Sequence, residues 1–149
     1  MDPSLQTTDA RLTITRVFRA TPEELWELWT NPEKISIWHR PGPTGFTTKA
    51  EGETKVGGAY KIAMSHDGKT DTVHGIFQEL EPPRKLVYSW QWEGAPAEDN
   101  STVTVLLDPV PEGTKLTLVH DRLSSPESVQ AHAEGWLGCM VNMELLITK

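Results

Sequence analysis

Apolar positions along this chain change period twice, and the changes divide it into three parts. In the first, Leu12, Ile14 and Phe18 alternate with Thr13, Thr15 and Arg16, with Val17 alongside, which predicts a strand turned toward a core. Thr21-Pro22-Glu23-Glu24 then supplies a capping residue, a proline suited to a first turn and an acidic start. It opens a helix through Trp29, with Leu25, Trp26, Leu28 and Trp29 as the apolar stripe. Asn31-Pro32-Glu33 repeats the same grammar for a second short helix ending near Trp38. Arg40-Pro41-Gly42-Pro43-Thr44-Gly45 suits neither helix nor strand and reads as a loop.

From Phe46 onward the period is that of strands. Tyr60, Ile62 and Met64 alternate with Lys61 and Ala63, Asp67-Gly68 signals a hairpin turn, and Thr70 to Leu80 returns as the partner. Leu86, Tyr88, Trp90 and Trp92 alternate with Val87, Ser89 and Gln91. Glu93 to Asn100 is a polar loop; Val103, Val105 and Leu107 alternate again. After Pro111-Glu112-Gly113 turns the chain, Leu116, Leu118 and His120 share one face. Short connections make such neighbours antiparallel.

In the third part the period lengthens. Val129, Ala133, Trp136, Met140, Met143 and Ile147 recur at spacings of three and four, so they share one face of a long helix that Ser125 caps. The opposite side carries Ala131, Gly135, Gly138, Asn142 and Lys149, none bulky and apolar. Each glycine weakens a helix by about 1 kcal/mol relative to alanine, so packing against a larger surface must hold it. A strand, two short helices, six or so strands and a terminal helix predict an α+β helix-grip fold. In it a curved antiparallel sheet wraps around the long C-terminal helix.

Composition narrows the function. The 149 residues fit one domain, placed at 11–149 behind a polar, loose segment at 1–10. A formal charge of -7 with scattered basic residues argues against nucleic acid and anionic membranes as partners. Cys139 is the single cysteine, which excludes an internal disulfide and suits a reducing cytoplasm. No apolar run reaches the roughly 18 residues of a membrane span. The expectation is a soluble, cytoplasmic monomer or homodimer.

Several segments in order resemble the START-like (SRPBCC) superfamily of helix-grip proteins. They are Arg16-Val17-Phe18-Arg19-Ala20-Thr21-Pro22-Glu23-Glu24-Leu25-Trp26, Trp38 with Gly42-Pro43-Thr44-Gly45-Phe46, and Gly57-Gly58-Ala59-Tyr60. Gly75, Glu79-Leu80-Glu81-Pro82-Pro83-Arg84-Lys85-Leu86-Val87-Tyr88-Ser89-Trp90, Gly113-Thr114-Lys115-Leu116 and Gly135-Trp136 complete the set. Within that superfamily the chain is most similar to the family named for homology to the activator of the heat-shock-protein-90 ATPase. The resemblance implies a helix-grip fold, but members of such folds bind lipids, close polyketide rings or contact chaperones. The eukaryotic co-chaperone has an additional N-terminal domain that does much of the ATPase stimulation, and these residues leave no room for it. The family name is therefore not carried over as an activity.

Six tryptophans, Trp26, Trp29, Trp38, Trp90, Trp92 and Trp136, concentrate where helix and sheet would meet. They are candidates for ordinary core or for the walls of an apolar pocket. Met64, Met140 and Met143 add adaptable filling. The cavity is assigned to Trp38, Tyr60, Met64, Tyr88, Trp90, His120, His132, Trp136 and Met140. His120 and His132 are its polar anchors or bases, and Glu79 is a candidate inward carboxylate. No metal is expected, because His39, His66 and His74 lack ligand spacing, and no cofactor motif is present. Cys139 has no nucleophile signature and no Gly-x-Ser-x-Gly elbow occurs.

These features point to a non-enzymatic binding protein holding a small hydrophobic or aromatic molecule between sheet and terminal helix. One alternative is a chaperone-associated module using an exposed patch at Ile35, Ile37 and Trp38. Another is a cyclase- or aromatase-like enzyme in which His120, Tyr60 or Tyr88 moves protons.

Overall fold

The computed structural model describes residues 2–42 and 45–147. Eight strands form one antiparallel sheet in the order β1-β2-β8-β7-β6-β5-β4-β3, and α3 lies against its inner face. The strands are β1 (Ser4–Thr7), β2 (Leu12–Phe18), β3 (Thr47–Gly52), β4 (Ala59–His66), β5 (Lys69–Glu81), β6 (Lys85–Trp92), β7 (Ser101–Val110) and β8 (Gly113–Asp121). The helices are α1 (Pro22–Thr30), α2 (Pro32–Trp38) and α3 (Pro126–Ile147). This is the helix-grip arrangement expected from the hydrophobic pattern. Pro43 and Thr44, part of the expected loop and of the resembling segment, and Lys149 of the helix's small-residue side lie outside the described residues.

Strand parity sets the inner face. Leu12, Ile14, Val103, Val105, Leu107, Leu116, Leu118 and His120 are all buried to within 1 %. Val103 pairs with His120, and Trp90 pairs with Ser101, so the chemistry-bearing side chains of β6, β7 and β8 meet on that face. Register slips between Phe77 and Glu79 of β5, a bulge that adds the local twist a wrapping sheet needs.

Two strands carry no apolar signal. β1 pairs with β2 through Ser4 to Thr7 although all four residues are exposed, so the segment read as loose contains an edge strand. β3 pairs with β4 from the polar run Thr47 to Gly52. Backbone pairing places both in the sheet, and side-chain alternation cannot report it.

The two short helices close one end. The Thr21 hydroxyl accepts from the Glu24 N–H while the Glu24 carboxylate accepts from the Thr21 N–H, a complete capping box for α1. Asn31 caps α2 through the Glu33 N–H. The Trp38 indole N–H donates to the Leu28 carbonyl at 2.7 Å, tying α2 to α1. The Ser36 hydroxyl accepts from the Ala50 N–H and the Thr48 hydroxyl donates to the His39 carbonyl, which tie α2 to β3. Trp38 is thus buried, and the apolar surface patch expected around it does not form; Ile37 alone of that trio is exposed, at 48 %.

Candidate functional site

The small-residue side of α3 is where sequence reasoning and structure part company. It faces the segment that follows α2 and is not idle surface. Asn142 is 3 % exposed, and its amide donates to the carbonyls of Trp38, Arg40 and Gly42 at 3.1–3.4 Å. The Cys139 thiol donates to the Arg40 carbonyl at 3.4 Å. A Cβ on Gly138 would overlap the Pro41 carbonyl oxygen, so only glycine lets helix and loop approach this closely. At Gly135 the nearest atom to such a Cβ is the Pro41 Cβ, 4.0 Å away.

The two glycines therefore have opposite expected responses. Gly135→Ala is expected to stabilise by up to about 1 kcal/mol through helix propensity. Gly138→Ala is expected to cost about 1–3 kcal/mol, because backbone must shift to admit the methyl group. Urea unfolding of the two variants checks the contrast, and similar effects at both positions would contradict the close approach at Gly138.

Above Gly135, between α3, the 39–41 segment and the sheet, lies a cavity of about 310 Å³. Trp90, Trp92 and Trp136 supply its aromatic walls, Met64 its end on β4, and His39, His132 and Cys139 its polar groups. Pro41 and Ala131, both exposed, stand at the rim, so the cavity opens to solvent between loop and helix. A separate hollow of about 30 Å³ lies between the short helices and the sheet, lined by Trp29, Trp38, His39, Tyr60, Phe77 and Tyr88 among others.

The nine expected cavity residues divide accordingly. Met64, Trp90, His132 and Trp136 line the larger cavity. Trp38, Tyr60 and Tyr88 line the small hollow instead, because α2 packs under β3 and draws that end of the sheet closed. Met140, fully buried, is core beneath the cavity, and His120, also fully buried, sits behind Trp90 and Trp136. Glu79 is exposed and paired with Lys85 at 3.2 Å, so it is not a cavity carboxylate. His39, Pro41, Ala131, Gly135 and Cys139 were not anticipated as lining.

Trp136 organises the aromatic cluster. Its ring lies 5.8 Å from Trp29, 5.1 Å from Trp90 and 5.4 Å from His39. Its indole N–H donates to His120 Nδ1 at 3.0 Å. That fixes the His120 proton on Nε2, which donates to Ser101 Oγ at 2.8 Å, and Ser101 in turn donates to the Trp90 carbonyl at 3.3 Å. The chain is satisfied in one direction only, with His120 neutral. Burial holds its pKa well below the ordinary histidine value, and the neighbouring His132 adds to the lowering.

His132 repeats the pattern. The Trp92 indole N–H donates to His132 Nε2 at 2.9 Å, and His132 Nδ1 donates to the Ser128 carbonyl at 2.7 Å. Burial lowers its pKa, with the Ser128 bond opposing. In both residues the lone pair a general base would use is taken by a tryptophan. Burial pushes the Tyr60 and Tyr88 hydroxyls well above their usual range, and Tyr60 donates to the Ser89 carbonyl at 2.7 Å. Burial likewise pushes the Cys139 thiol up to about 12, so it is no nucleophile.

His39 differs from the other two. It is 3 % exposed, and neither ring nitrogen has a hydrogen-bond partner among the described residues. Burial lowers its pKa to about 4, a contact to its own main chain opposing weakly. The Trp90 indole N–H is also buried without a partner. No group of three His, Cys, Asp or Glu side chains among the described residues is placed to hold a metal ion. No described helix is long and apolar enough to cross a membrane.

Comparison with known proteins places this geometry. Residues 19–147 match the model of the family described as Activator of Hsp90 ATPase homolog 1-like protein. No curated protein matches. Among solved structures, protein CV1439 from Chromobacterium violaceum shares 24 % identity with a TM-score of 0.85, over 94 % of this chain and 99 % of that one. The AHSA1 protein from Silicibacter pomeroyi also shares 24 % identity, with a TM-score of 0.81 over 93 % and 98 %. CalU16 from Micromonospora echinospora, again at 24 %, has a TM-score of 0.71 over 98 % and 85 %. These likenesses establish the fold.

Proposed function

The chain belongs to the Activator of Hsp90 ATPase homolog 1-like family, and from that premise we propose that it is a binding protein, not a catalyst. Its ligand is a small, largely apolar aromatic molecule held between sheet and α3. The observation that carries this reading is the aromatic cavity of about 310 Å³ opening between Pro41 and Ala131. That volume is at the lower end of small-molecule sites, which run from about 300 to 1,000 Å³, and suits two or three fused rings better than a sterol or acyl chain. Trp90 and Trp92 from β6 and Trp136 from α3 offer aromatic faces, and no Lys, Arg, Asp or Glu lines the space.

The neutral, fully bonded states of His120 and His132 support binding over chemistry. A base whose lone pair already accepts an indole N–H must break that bond before it can take a proton.

A panel of mono-, bi- and tricyclic aromatic compounds tests the reading by thermal shift. A ligand at about a hundred times its dissociation constant stabilises by about 2.7 kcal/mol, which raises the midpoint by roughly 5–10 °C in a chain of this length. Gly135→Leu is the matched control. It fills the cavity from a position with free space and is expected to fold while abolishing the shift. Absence of any shift with the native chain, or an undiminished shift in Gly135→Leu, would overturn the assignment.

A further inference from the structure

Resting on that reading, we propose that ligand binding in the cavity competes with protonation of His132, so that the site holds an uncharged aromatic molecule at neutral pH and releases it in mild acid. The observation that carries this is a bond in the cavity's own wall. Trp92 ends β6, His132 lies in the first half of α3, and both line the cavity. The Trp92 indole N–H donates to His132 Nε2 at 2.9 Å, so sheet and helix are joined there through a titratable acceptor.

The other ring nitrogen is already committed. His132 Nδ1 donates to the Ser128 carbonyl at 2.7 Å, so an added proton must go to Nε2. It would set a second N–H against the indole N–H, and one of the two rings must turn away. Trp92 is half-buried and an exposed turn at Glu93 and Gly94 follows it, so it is the ring with room to move. The wall that gives way is one of the aromatic faces offered to the ligand.

His132 is half-buried, whereas His39 is 3 % exposed and His120 fully buried, so His132 is the imidazole of the three that solvent reaches. His120 of β8 is a titratable neighbour, with ring centroids 4.8 Å apart, and Asp121 beyond it pairs with Arg11. His39, after α2, and Cys139 of α3 line the same cavity; β4 and β6 bring Met64, Trp90 and Trp92, none of them titratable. On α3 itself Glu127 and Glu134 are exposed. An imidazolium at His132 therefore has no carboxylate among the lining residues to pair with, and it depends on solvent at the mouth. An apolar ligand displaces that solvent and raises the cost of the charge. The occupied site binds the proton less tightly than the empty one, and by reciprocity the proton weakens the ligand. Burial already lowers the His132 pKa from 6.5 in the ligand-free chain, so affinity is level above that pH and falls below it, by up to about tenfold per pH unit.

Equilibrium dialysis of 2-methylnaphthalene, which has no titratable group of its own, tests this between pH 7.5 and 5.0. The dissociation constant is expected to be level at first and to rise about threefold or more by pH 5.0. His132→Gln keeps an acceptor for the Trp92 indole but takes up no proton, and its dissociation constants across the range are expected to agree within about twofold. Circular dichroism follows the fold at each pH. Where acid unfolds either chain, the titration of the native His132 ring by NMR, with and without 2-methylnaphthalene, decides instead, and the ligand is expected to move it to lower pH. A level dissociation constant in the native chain, the same pH dependence in His132→Gln, or a ring titration that the ligand leaves unmoved would overturn the inference and leave the aromatic cavity standing. Absence of binding at pH 7.5 would overturn both.

Discussion

Replacing Trp136 with alanine is expected to cost about 3–5 kcal/mol of stability, the range for removing a large aromatic side chain from a packed core. Trp136 is 3 % exposed and touches three other aromatic rings, from α1, β6 and the segment after α2. Its loss also strips the donor from His120 Nδ1 and leaves a buried acceptor unpaired. Against a net stability of about 5–15 kcal/mol for an ordinary domain, such a variant stands near the edge of folding. Trp136→Phe separates the two contributions. It retains a ring against Trp29 and Trp90 but leaves His120 without its donor, so about 1–3 kcal/mol is expected. Trp26 is only partly buried at the margin of the core, and Trp26→Ala is expected to cost about 1–2 kcal/mol. Urea unfolding of the three variants orders them. Equal losses at Trp26 and Trp136 would mean that the aromatic cluster is not the keystone of the helix-sheet contact.

How much of this was legible beforehand depends on whether a residue sits on a periodic element. Trp90 and His120 point inward because strands alternate, and Trp136 because a helix repeats; their meeting follows once the sheet is folded over α3. His39 belongs to neither period. It stands one residue past α2, where the chain leaves helical geometry, and only the bonds from Thr48 and Asn142 turn that position into cavity wall. The sequence makes Gly138 a helix weakness on a plain face, yet its lack of a side chain is what admits Pro41. A single sequence shows that a glycine lacks a Cβ; it does not show what occupies the space. The division between large cavity and small hollow was equally invisible, because it follows from α2 packing on β3, a strand with no apolar alternation. Strand parity buries Tyr60 and Tyr88, and both lie on the closed side of that division.

Mild acid is expected to destabilise the protein well before its carboxylates titrate. His39, His120 and His132 all have pKa values held down by burial, so the folded chain keeps them neutral while the unfolded chain protonates them near pH 6.5. The unfolded state then binds more protons than the native one, and stability must fall as pH drops. Above pH 6.5 both states are neutral at these sites and the contribution is flat. For His39 the loss continues until its folded value of about 4 is reached. At about 1.4 kcal/mol for each pH unit, that one residue accounts for roughly 3 kcal/mol across the window. His120 and His132 act in the same direction, and protonating either would set two donors against each other where Trp136 and Trp92 now donate. Asp121, whose carboxyl the Arg11 bond holds below the ordinary carboxylate value, contributes only beneath this range. The urea midpoint measured from pH 7.5 to 4.5 is therefore expected to be level at first and to fall steeply below pH 6.5. His39→Phe is expected to flatten the slope without abolishing it, since two histidines remain. A midpoint unchanged down to pH 4.5 would mean that these imidazoles protonate without cost, and the Trp-to-His bonds would then not be what holds the cluster together.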